Sequence, residues 1–253
     1  VQDGTASIFE WSGAWVLAAT LQSPIGDDLE NTGYSVALTE TSSLGEMVIL
    51  GAPGAANQEG MVYAFFNDSG VWENAGLFES GDPNFGYLFG AAVAIDGDMV
   101  VIGEPNSDEH AVGAGQVWVY QYTPGVGFLL IANLEPLSLS ANDQMGTSVA
   151  IEETKIAVGI PRGAGLGLNS GRVDLWDLNS SGIFIHELEY AGRDISGAAT
   201  GGLGSSVAIS EGLVIAGAPT VDSDAGAAYL FNNYRAWVTL GSGDWLDTVN
   251  WTG

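Results

Sequence analysis

Two short acidic runs are the residues of this sequence best suited to chemistry. Asn106-Ser107-Asp108-Glu109-His110 and Asp222-Ser223-Asp224 place side-chain oxygens on alternate residues. Calcium takes six to eight oxygen ligands, so runs of this kind are typical of calcium loops. We therefore predict a metal site, with calcium as the one cofactor that the sequence indicates, at Asn106, Asp108, Glu109, Asp222 and Asp224. A solvated acidic turn is the alternative interpretation of each run.

Residues suited to catalysis are scarce in this chain. It has two histidines, His110 and His186, no cysteine, and five lysine or arginine residues in all. A serine nucleophile needs a base and an oxyanion hole, and no Gly-x-Ser-x-Gly segment occurs. With 31 acidic residues, carboxylate pairs of the glycosidase kind will always be found, but no spacing singles one out. We predict that the protein is not an enzyme and has no catalytic residue.

The acidic runs lie in the loops of a repeat that fills most of the chain. A segment of the form Gly-x-x-Val-Ala-Leu/Ile begins at Gly33, Gly90, Gly146 and Gly204. The spacings are 90 − 33 = 57, 146 − 90 = 56 and 204 − 146 = 58 residues. A fixed period of this size indicates an array of one supersecondary unit.

Each repeat contains four short runs with strand character. The first is the glycine-led segment, and the second is an apolar run ending in Gly-x-Pro, which fits a strand buried on both faces. The third begins at a glycine and alternates, and the fourth is polar, as expected of an outer edge strand. The second runs are residues 46–53, 98–105, 155–161 and 213–219; the third begin at Gly60, Gly115, Gly171 and Gly226; the fourth carry Trp72, Phe128, Phe184 and Trp237.

Four strands in each repeat predict an all-β fold, a β-propeller of four-stranded antiparallel blades. We expect one propeller domain over residues 1–240, with complete blades at about 33–78, 85–134, 145–190 and 203–240. A stacked solenoid is the competing architecture, although its repeats are usually shorter. Residues 241–253 form a tail, which we interpret as a closing strand or the start of a further module.

The N-terminus begins in the middle of a repeat. Gly4–Phe9 aligns with Gly226–Phe231, so residues 4–21 supply only the third and fourth strands of a blade. The tail has no Val-Ala-Ile and no Gly-x-Pro segment with which to supply the missing two. Three explanations stay open: the tail patches the blade, a neighbouring chain completes it, or the chain is part of a longer protein. We favour a ring of about five blade positions whose first blade is partial.

The repeat resembles the FG-GAP repeats of integrin-α-type β-propellers, and more closely the bacterial secreted version. The residues that carry this resemblance are Phe89-Gly90, Val93-Ala94-Ile95, Gly51-Ala52-Pro53, Gly217-Ala218-Pro219 and Tyr229-Leu230-Phe231. The resemblance implies a propeller and, in many members, an Asp-rich calcium loop between the first and second strands. Here those connections are 39–45, 96–98, 152–154 and 210–212, and none carries enough ligands, so this calcium site is not transferred. The turn Asp96-Gly97-Asp98 is interpreted as a tight hairpin instead.

The charge of the chain restricts its partners. Thirty-one acidic residues against five basic ones give a net charge of −26. Such a surface repels nucleic acid and anionic membranes, and no apolar run is long enough to span a bilayer. The partners that remain are other protein chains, including copies of this one, and glycans.

We therefore expect a secreted or cell-surface protein, of bacterial type by the resemblance. Its predicted function is a non-catalytic binding or structural module for adhesion or for assembly into a layer or filament. The alternatives are a carbohydrate-binding or carbohydrate-active propeller and a calcium-dependent adhesion receptor.

Overall fold

The described strands of this chain form five antiparallel sheets in sequence order. The computed structural model describes residues 4–26, 29–41, 45–164, 170–191, 201–221, 225–232 and 235–240, and of residues 232 and 235–240 only the backbone. A two-stranded sheet comes first and four four-stranded sheets follow it. We call the first sheet the partial blade and the others the first to fourth blades.

The strands of each blade lie next to one another in chain order. The partial blade consists of β1 (Ala6–Trp11) and β2 (Trp15–Leu21). The first blade has β3 (Ser35–Thr41), β4 (Gly45–Ala52), β5 (Met61–Asp68) and β6 (Val71–Glu79); the second has β7 (Ala92–Asp96), β8 (Met99–Glu104), β9 (Gln116–Thr123) and β10 (Gly127–Asn133). The third has β11 (Ser148–Glu152), β12 (Lys155–Ile160), β13 (Arg172–Leu178) and β14 (Phe184–Ala191); the fourth has β15 (Ser206–Ser210), β16 (Leu213–Ala218), β17 (Ala227–Asn232) and β18 (Arg235–Leu240).

The first strands of successive blades contact one another, β3 with β7, β7 with β11 and β11 with β15. The core lies between successive sheets and not inside one sandwich. The described residues form four apolar clusters, and each cluster lies between two successive sheets. The first joins the partial blade to the first blade, and the last joins the third blade to the fourth. This explains the continuous apolar character of the second strands, since a sheet covered on both faces needs apolar residues at every position.

A bulge recurs at one position in all five sheets. The pairing of the third strand with the fourth shifts register at Ala64/Phe65 in the first blade and at Leu175/Trp176 in the third. The same shift falls at Ile8/Phe9 in the partial blade. Because a bulge increases the local twist of the strand pair, its recurrence shows that β1 and β2 have the geometry of an outer half-blade.

The predicted all-β propeller of four complete blades and one partial blade is confirmed. The Asp96–Asp98 turn is confirmed as a tight hairpin, since Asp96 pairs with Met99. Helix is nearly absent from the described residues; the short segment α1 (Ala55–Gln58), in the loop after β4, is a tight turn with non-helical φ and ψ angles at Ala56 and Asn57 and was not predicted from the sequence. No helix of the described part is long and apolar enough to cross a membrane. The predicted tail, residues 241–253, lies outside the described residues.

Candidate functional site

The structure gives the residues of the first predicted metal run local partners. The side-chain amide of Asn106 donates to the carbonyl of Gly86 at 2.9 Å, and Oδ1 of Asp108 accepts from the backbone N–H of Gly113 at 2.7 Å. Glu109 takes part through its backbone N–H, which donates to Ser107 Oγ. Asp222 and Asp224 of the second run lie outside the described residues.

Among the residues that the structure describes, no group of three His, Asp or Glu side chains lies close enough to hold a metal ion. Because Asp222 and Asp224 fall outside that part, calcium binding at the predicted residues stays a prediction.

Close backbone contact joins each complete blade to the next through glycine. A Cβ on Gly51, Gly103 or Gly159 would overlap the carbonyl oxygen of a glycine in the next blade, which is Gly90, Gly146 or Gly204 respectively. The glycine of each Gly-x-Pro segment is therefore needed for blade packing, because any larger residue would push the two strands apart. Among the described residues, a Cβ on Gly217 of the fourth blade would meet only the side chain of Ser206.

A second contact between blades joins the tip of one inner hairpin to the next. Glu152, the last residue of β11, accepts hydrogen bonds from the backbone N–H groups of Glu211 at 2.7 Å and Gly212 at 3.2 Å. The backbone bond from Glu211 is the main cause that holds the pKa of the Glu152 carboxyl below its usual value. Asp96 accepts from Glu153 N–H in the same way, and Thr39 accepts from Gly97 N–H.

The partial blade makes the outer contacts of a blade, and its described residues form the two strands β1 and β2. A Cβ on Gly4 would overlap the backbone of Thr32, just as one on Gly60 would overlap Phe89 between the first and second blades. Ala6, Ile8, Ala19 and Leu21 pack into the cluster that the partial blade shares with the first blade. The partial blade therefore occupies a blade position, and its β1 pairs with no described strand other than β2.

Two apolar side chains of β3 are exposed, whereas their counterparts in the next blade are buried. Val93 and Ile95 of β7 are 8% and 9% exposed and share a cluster with Met47 and Ile49 of the preceding blade. The same positions of β3 are Val36 and Leu38, which are 59% and 64% exposed.

An apolar face lies on the side of the partial blade opposite to Ala6 and Ile8, which pack against the first blade. Phe9 pairs with Leu17 and Trp11 with Trp15, so the four side chains share one face of the partial blade. All four are more than half exposed, and the rings of Trp11 and Trp15 meet edge to face at 5.5 Å. In the third blade the position of Phe9 is held by Trp176, which is buried. We call Phe9, Trp11, Trp15 and Leu17 the open face.

A groove of about 690 Å³ lies between three loops: the one before β3, the one after β4 and the one before β7. Asn31, Asn57, Gln58 and Phe85 contribute to its wall. Ala56, Asn57 and Gln58 have consecutive positive φ angles of 48°, 60° and 68°. Non-glycine residues rarely adopt this conformation, and such strain is concentrated at binding sites. Sequence reasoning missed this groove, because the residue types of this loop are unremarkable for a turn.

A buried polar cluster also escaped sequence reasoning. Arg172 Nε donates to Asp174 Oδ1 at 3.0 Å, and its Nη2 donates to the carbonyl of Ser138 at 2.6 Å. His186 Nε2 lies 3.3 Å from the other oxygen of Asp174. Arg172 and Asp174 are both buried on β13, so this Arg, Asp and His set is closed to a substrate and serves the packing between blades.

Glu104 ends β8 at a position where the first and fourth blades have alanine. It is fully buried, and its Oε2 accepts from Trp118 Nε1 at 2.8 Å. Burial raises the pKa of the Glu104 carboxyl to about 7, although hydrogen bonds from Trp118 and Ser80 act in the opposite direction. The Glu104 carboxyl of the folded protein therefore changes protonation state near neutral pH.

Comparison with known families identifies one segment of the chain. A family model described as FG-GAP repeat matches residues 72–120, which run from the outer strand of the first blade to the third strand of the second. No curated protein matches the chain. The matched segment carries Phe89-Gly90 and the close contact of Gly103, which are the features that join neighbouring blades. The chain thus contains an FG-GAP repeat, set within a β-propeller arrangement of four complete blades and one partial blade.

Proposed function

We propose that this protein is a non-catalytic binding module of the cell exterior that associates with copies of itself through the open face. The supporting observation is the exposure of Phe9, Trp11, Trp15 and Leu17 on one side of the partial blade. Large adjoining apolar side chains on a soluble protein mark interaction sites, and aromatic residues supply most of the binding energy at such sites. FG-GAP propellers are generally non-catalytic and extracellular, which supports the class and the location.

The net charge of −26 opposes close approach of two copies. Added salt screens this repulsion while the contact of apolar side chains persists, because the Debye length falls to about 3 Å at 1 M ionic strength. Association through the open face should therefore strengthen as salt is added. An association held together by ion pairs would weaken instead.

Light scattering coupled to size exclusion, over a range of protein and salt concentrations, tests the proposal. We expect association that grows with both, and its loss in the double variant Trp11→Ser/Trp15→Ser. The matched control is Val126→Ser/Leu137→Ser, which removes two exposed apolar side chains elsewhere on the surface and should associate like the wild type. A wild type that stays monomeric at every concentration and salt level would refute the proposal.

A second candidate function is carbohydrate binding at the groove beside α1. Phe85 is 73% exposed at its wall, and the amides of Asn31, Asn57 and Gln58 accompany it. Sugars bind by stacking on an aromatic ring with hydrogen bonds to polar side chains, and this combination is present here. A glycan array with the wild type and Phe85→Ala tests it. Binding that the variant loses supports the groove, and an array without signal rejects it.

A further inference from the structure

We propose that a groove between the third and fourth blades binds a sugar acid, a sugar that carries a carboxylate. The groove has a volume of about 690 Å³ and lies at the end of the blades where the first strands begin and the second strands end. We call it the Arg162 groove, and the wall residues that matter here are Asn142, Thr147, Arg162, Gly202, Ser205 and Thr220. It is separate from the open face and from the groove beside α1.

The same place between the second and third blades is bridged by two side chains. Gln144 lies in the loop before β11 and donates its side-chain amide to Asn106 Oδ1 at 3.3 Å. Asn106 directly follows the Gly-x-Pro segment of the second blade and donates its own amide to the carbonyl of Gly86. These two side chains tie the loops of neighbouring blades together.

Between the third and fourth blades both members of this pair are different. Gly202 has the place of Gln144, two residues before the inner glycine, and Arg162 has the place of Asn106. The backbone of Gly202 keeps the conformation of Gln144, with a φ angle of 61° against 59°. Because glycine has no side chain, the amide bridge cannot form here.

The space beside Gly202 is bordered by two hydroxyl groups. A Cβ on Gly202 would lie 3.3 Å from Ser205 Oγ and 3.7 Å from Thr220 Oγ1. A side chain therefore fits at this position with a small adjustment of Ser205, as the side chain of Gln144 does in the preceding blade. The volume that Gln144 fills there is left to a ligand beside Gly202.

Arg162 gives the groove a positive charge. Its side chain is exposed, and no described acidic side chain pairs with it or lines the groove. The other two basic residues with described side chains are paired, Lys155 with Asp177 and Arg172 with Asp174. A guanidinium is planar and binds a carboxylate through two parallel hydrogen bonds. In a chain of net charge −26, this groove is thus suited to an anionic group.

The hydroxyl groups of the wall determine what else the ligand must carry. Thr147 Oγ1 donates to the carbonyl of Gln144 at 2.8 Å, and Ser205 Oγ donates to the carbonyl of Gly202 at 2.6 Å. A hydroxyl has one proton, so both oxygens are left as hydrogen-bond acceptors. They require O–H donors on the ligand. A sugar acid has such donors beside its carboxylate, whereas a simple carboxylate has none.

The overall charge of the protein limits the charge of the ligand. Each carboxylate that lies outside the groove is repelled by a surface of net charge −26. A single uronic acid therefore suits the groove better than a long polyuronate. Binding is best measured at 0.15 M salt or above, where the Debye length is about 8 Å and the repulsion from distant carboxylates is screened.

Titration of the full chain with glucuronate, followed by calorimetry or NMR, tests the proposal. We expect saturable one-to-one binding with a dissociation constant on the order of 1 mM. Glucose lacks the carboxylate and acetate lacks the hydroxyl groups, so each should bind at least about tenfold more weakly. Acetate or inorganic phosphate that binds as well as glucuronate indicates a simple anion site, and glucose that binds as well indicates a neutral sugar site. Either result overturns the proposal.

Two variants locate the binding. Arg162→Gln should weaken glucuronate binding at least about tenfold at an unchanged melting temperature, because Arg162 is exposed and unpaired among the described residues. Gly202→Gln should block the groove and still fold, because Gln144 has the same conformation in the preceding blade. The matched control is Gly182→Gln, at a glycine of positive φ with open space around it, and it should bind glucuronate like the wild type.

The outcomes are independent of the proposed function. Trp11→Ser/Trp15→Ser and Phe85→Ala should bind glucuronate like the wild type, whatever they do to association or to the glycan array. Glucuronate binding that survives both Arg162→Gln and Gly202→Gln places the ligand elsewhere and overturns the proposal. A wild type that does not bind glucuronate overturns it as well.

Discussion

Gly103 of β8 lies directly against the carbonyl oxygen of Gly146, the residue that leads into the inner strand of the next blade. Gly146 in turn donates its backbone N–H to Gly159 at 3.1 Å, which continues the contact into the third blade. Gly51 and Gly159 make the same approach to Gly90 and Gly204. The spacing between blades in this protein is therefore set by pairs of glycines.

Replacing Gly103 with alanine should destabilise the fold. The added methyl group would overlap the backbone of Gly146, which is itself hydrogen-bonded to Gly159 and cannot move away freely. We therefore expect a loss of about 2–4 kcal/mol in the free energy of unfolding. The matched control is Gly217→Ala, because the only described group that its methyl would crowd is the hydroxyl of Ser206, which can rotate away. Urea unfolding measures both, and equal losses would contradict the role of blade contact.

Removing the carboxylate of Glu152 should loosen the tip of the next blade. The Glu211 and Gly212 amides donate to it, so Glu152→Ala should speed their hydrogen exchange. The neighbouring Glu153→Ala, with the same change in charge, should leave both amides protected.

Acidification should act on the same contact. Because the folded-state pKa of Glu152 is lowered, its contribution is present at neutral pH and is lost as the pH falls through that pKa. Exchange at Glu211 that is unaffected by either change would refute this contact.

The buried carboxyl of Glu104 should make stability depend on pH. Its pKa is about 7 in the folded protein against 4.5 ordinarily, so unfolding releases its proton between these values and stability falls as the pH rises through them. Relative to Glu104→Gln, the wild type should lose on the order of 2–3 kcal/mol between about pH 5 and about pH 8. Exposed Glu135→Gln is the control, and parallel profiles of wild type and Glu104→Gln would reject the raised pKa.

Removing one partner of the buried ion pair on β13 should lower the free energy of unfolding strongly. Replacing both partners with apolar or aromatic residues should lower it much less. Arg172→Met leaves the buried charge of Asp174 without its guanidinium, and we expect a loss of about 3–5 kcal/mol. The double variant Arg172→Met/Asp174→Tyr introduces the residues that the first blade has there, Met61 and Tyr63, and should recover much of it. Thermal unfolding compares the two; a double variant no better than the single one would contradict this interpretation.

Calcium binding at Asn106, Asp108 and Glu109 is tested by melting temperature. If these residues hold the ion, calcium raises the melting temperature by mass action, and Asp108→Asn removes the rise. Magnesium is the control, because it dehydrates reluctantly and demands stricter octahedral geometry. A wild-type melting temperature that does not change on addition of calcium would contradict this prediction.

Much of the architecture was predictable because its causes are local and repeated. The Gly-x-x-Val-Ala-Ile segment, the Gly-x-Pro ending and the alternating third run each reflect one strand's surroundings, and four copies of them indicate a blade. The incomplete repeat at the N-terminus could also be recognised from alignment alone, and its bulge at Ile8/Phe9 matches the complete blades.

The candidate sites were not predictable in the same way. Nothing in the types of Ala56, Asn57 and Gln58 indicates three successive positive φ angles, since surrounding packing imposes that conformation. The contact from Glu152 to Glu211 joins residues far apart in the chain, and the pKa of Glu104 depends on how deeply the neighbouring blade buries it.

The sequence by itself determined the strand order and the blade repeat, because these follow from patterns within a few residues. Val36 and Val93 have the same residue type and the same place in the repeat, so the local sequence pattern does not distinguish them. Tertiary structure alone decided that Val93 is covered and Val36 is exposed, because burial depends on which strand lies opposite and not on the residue itself.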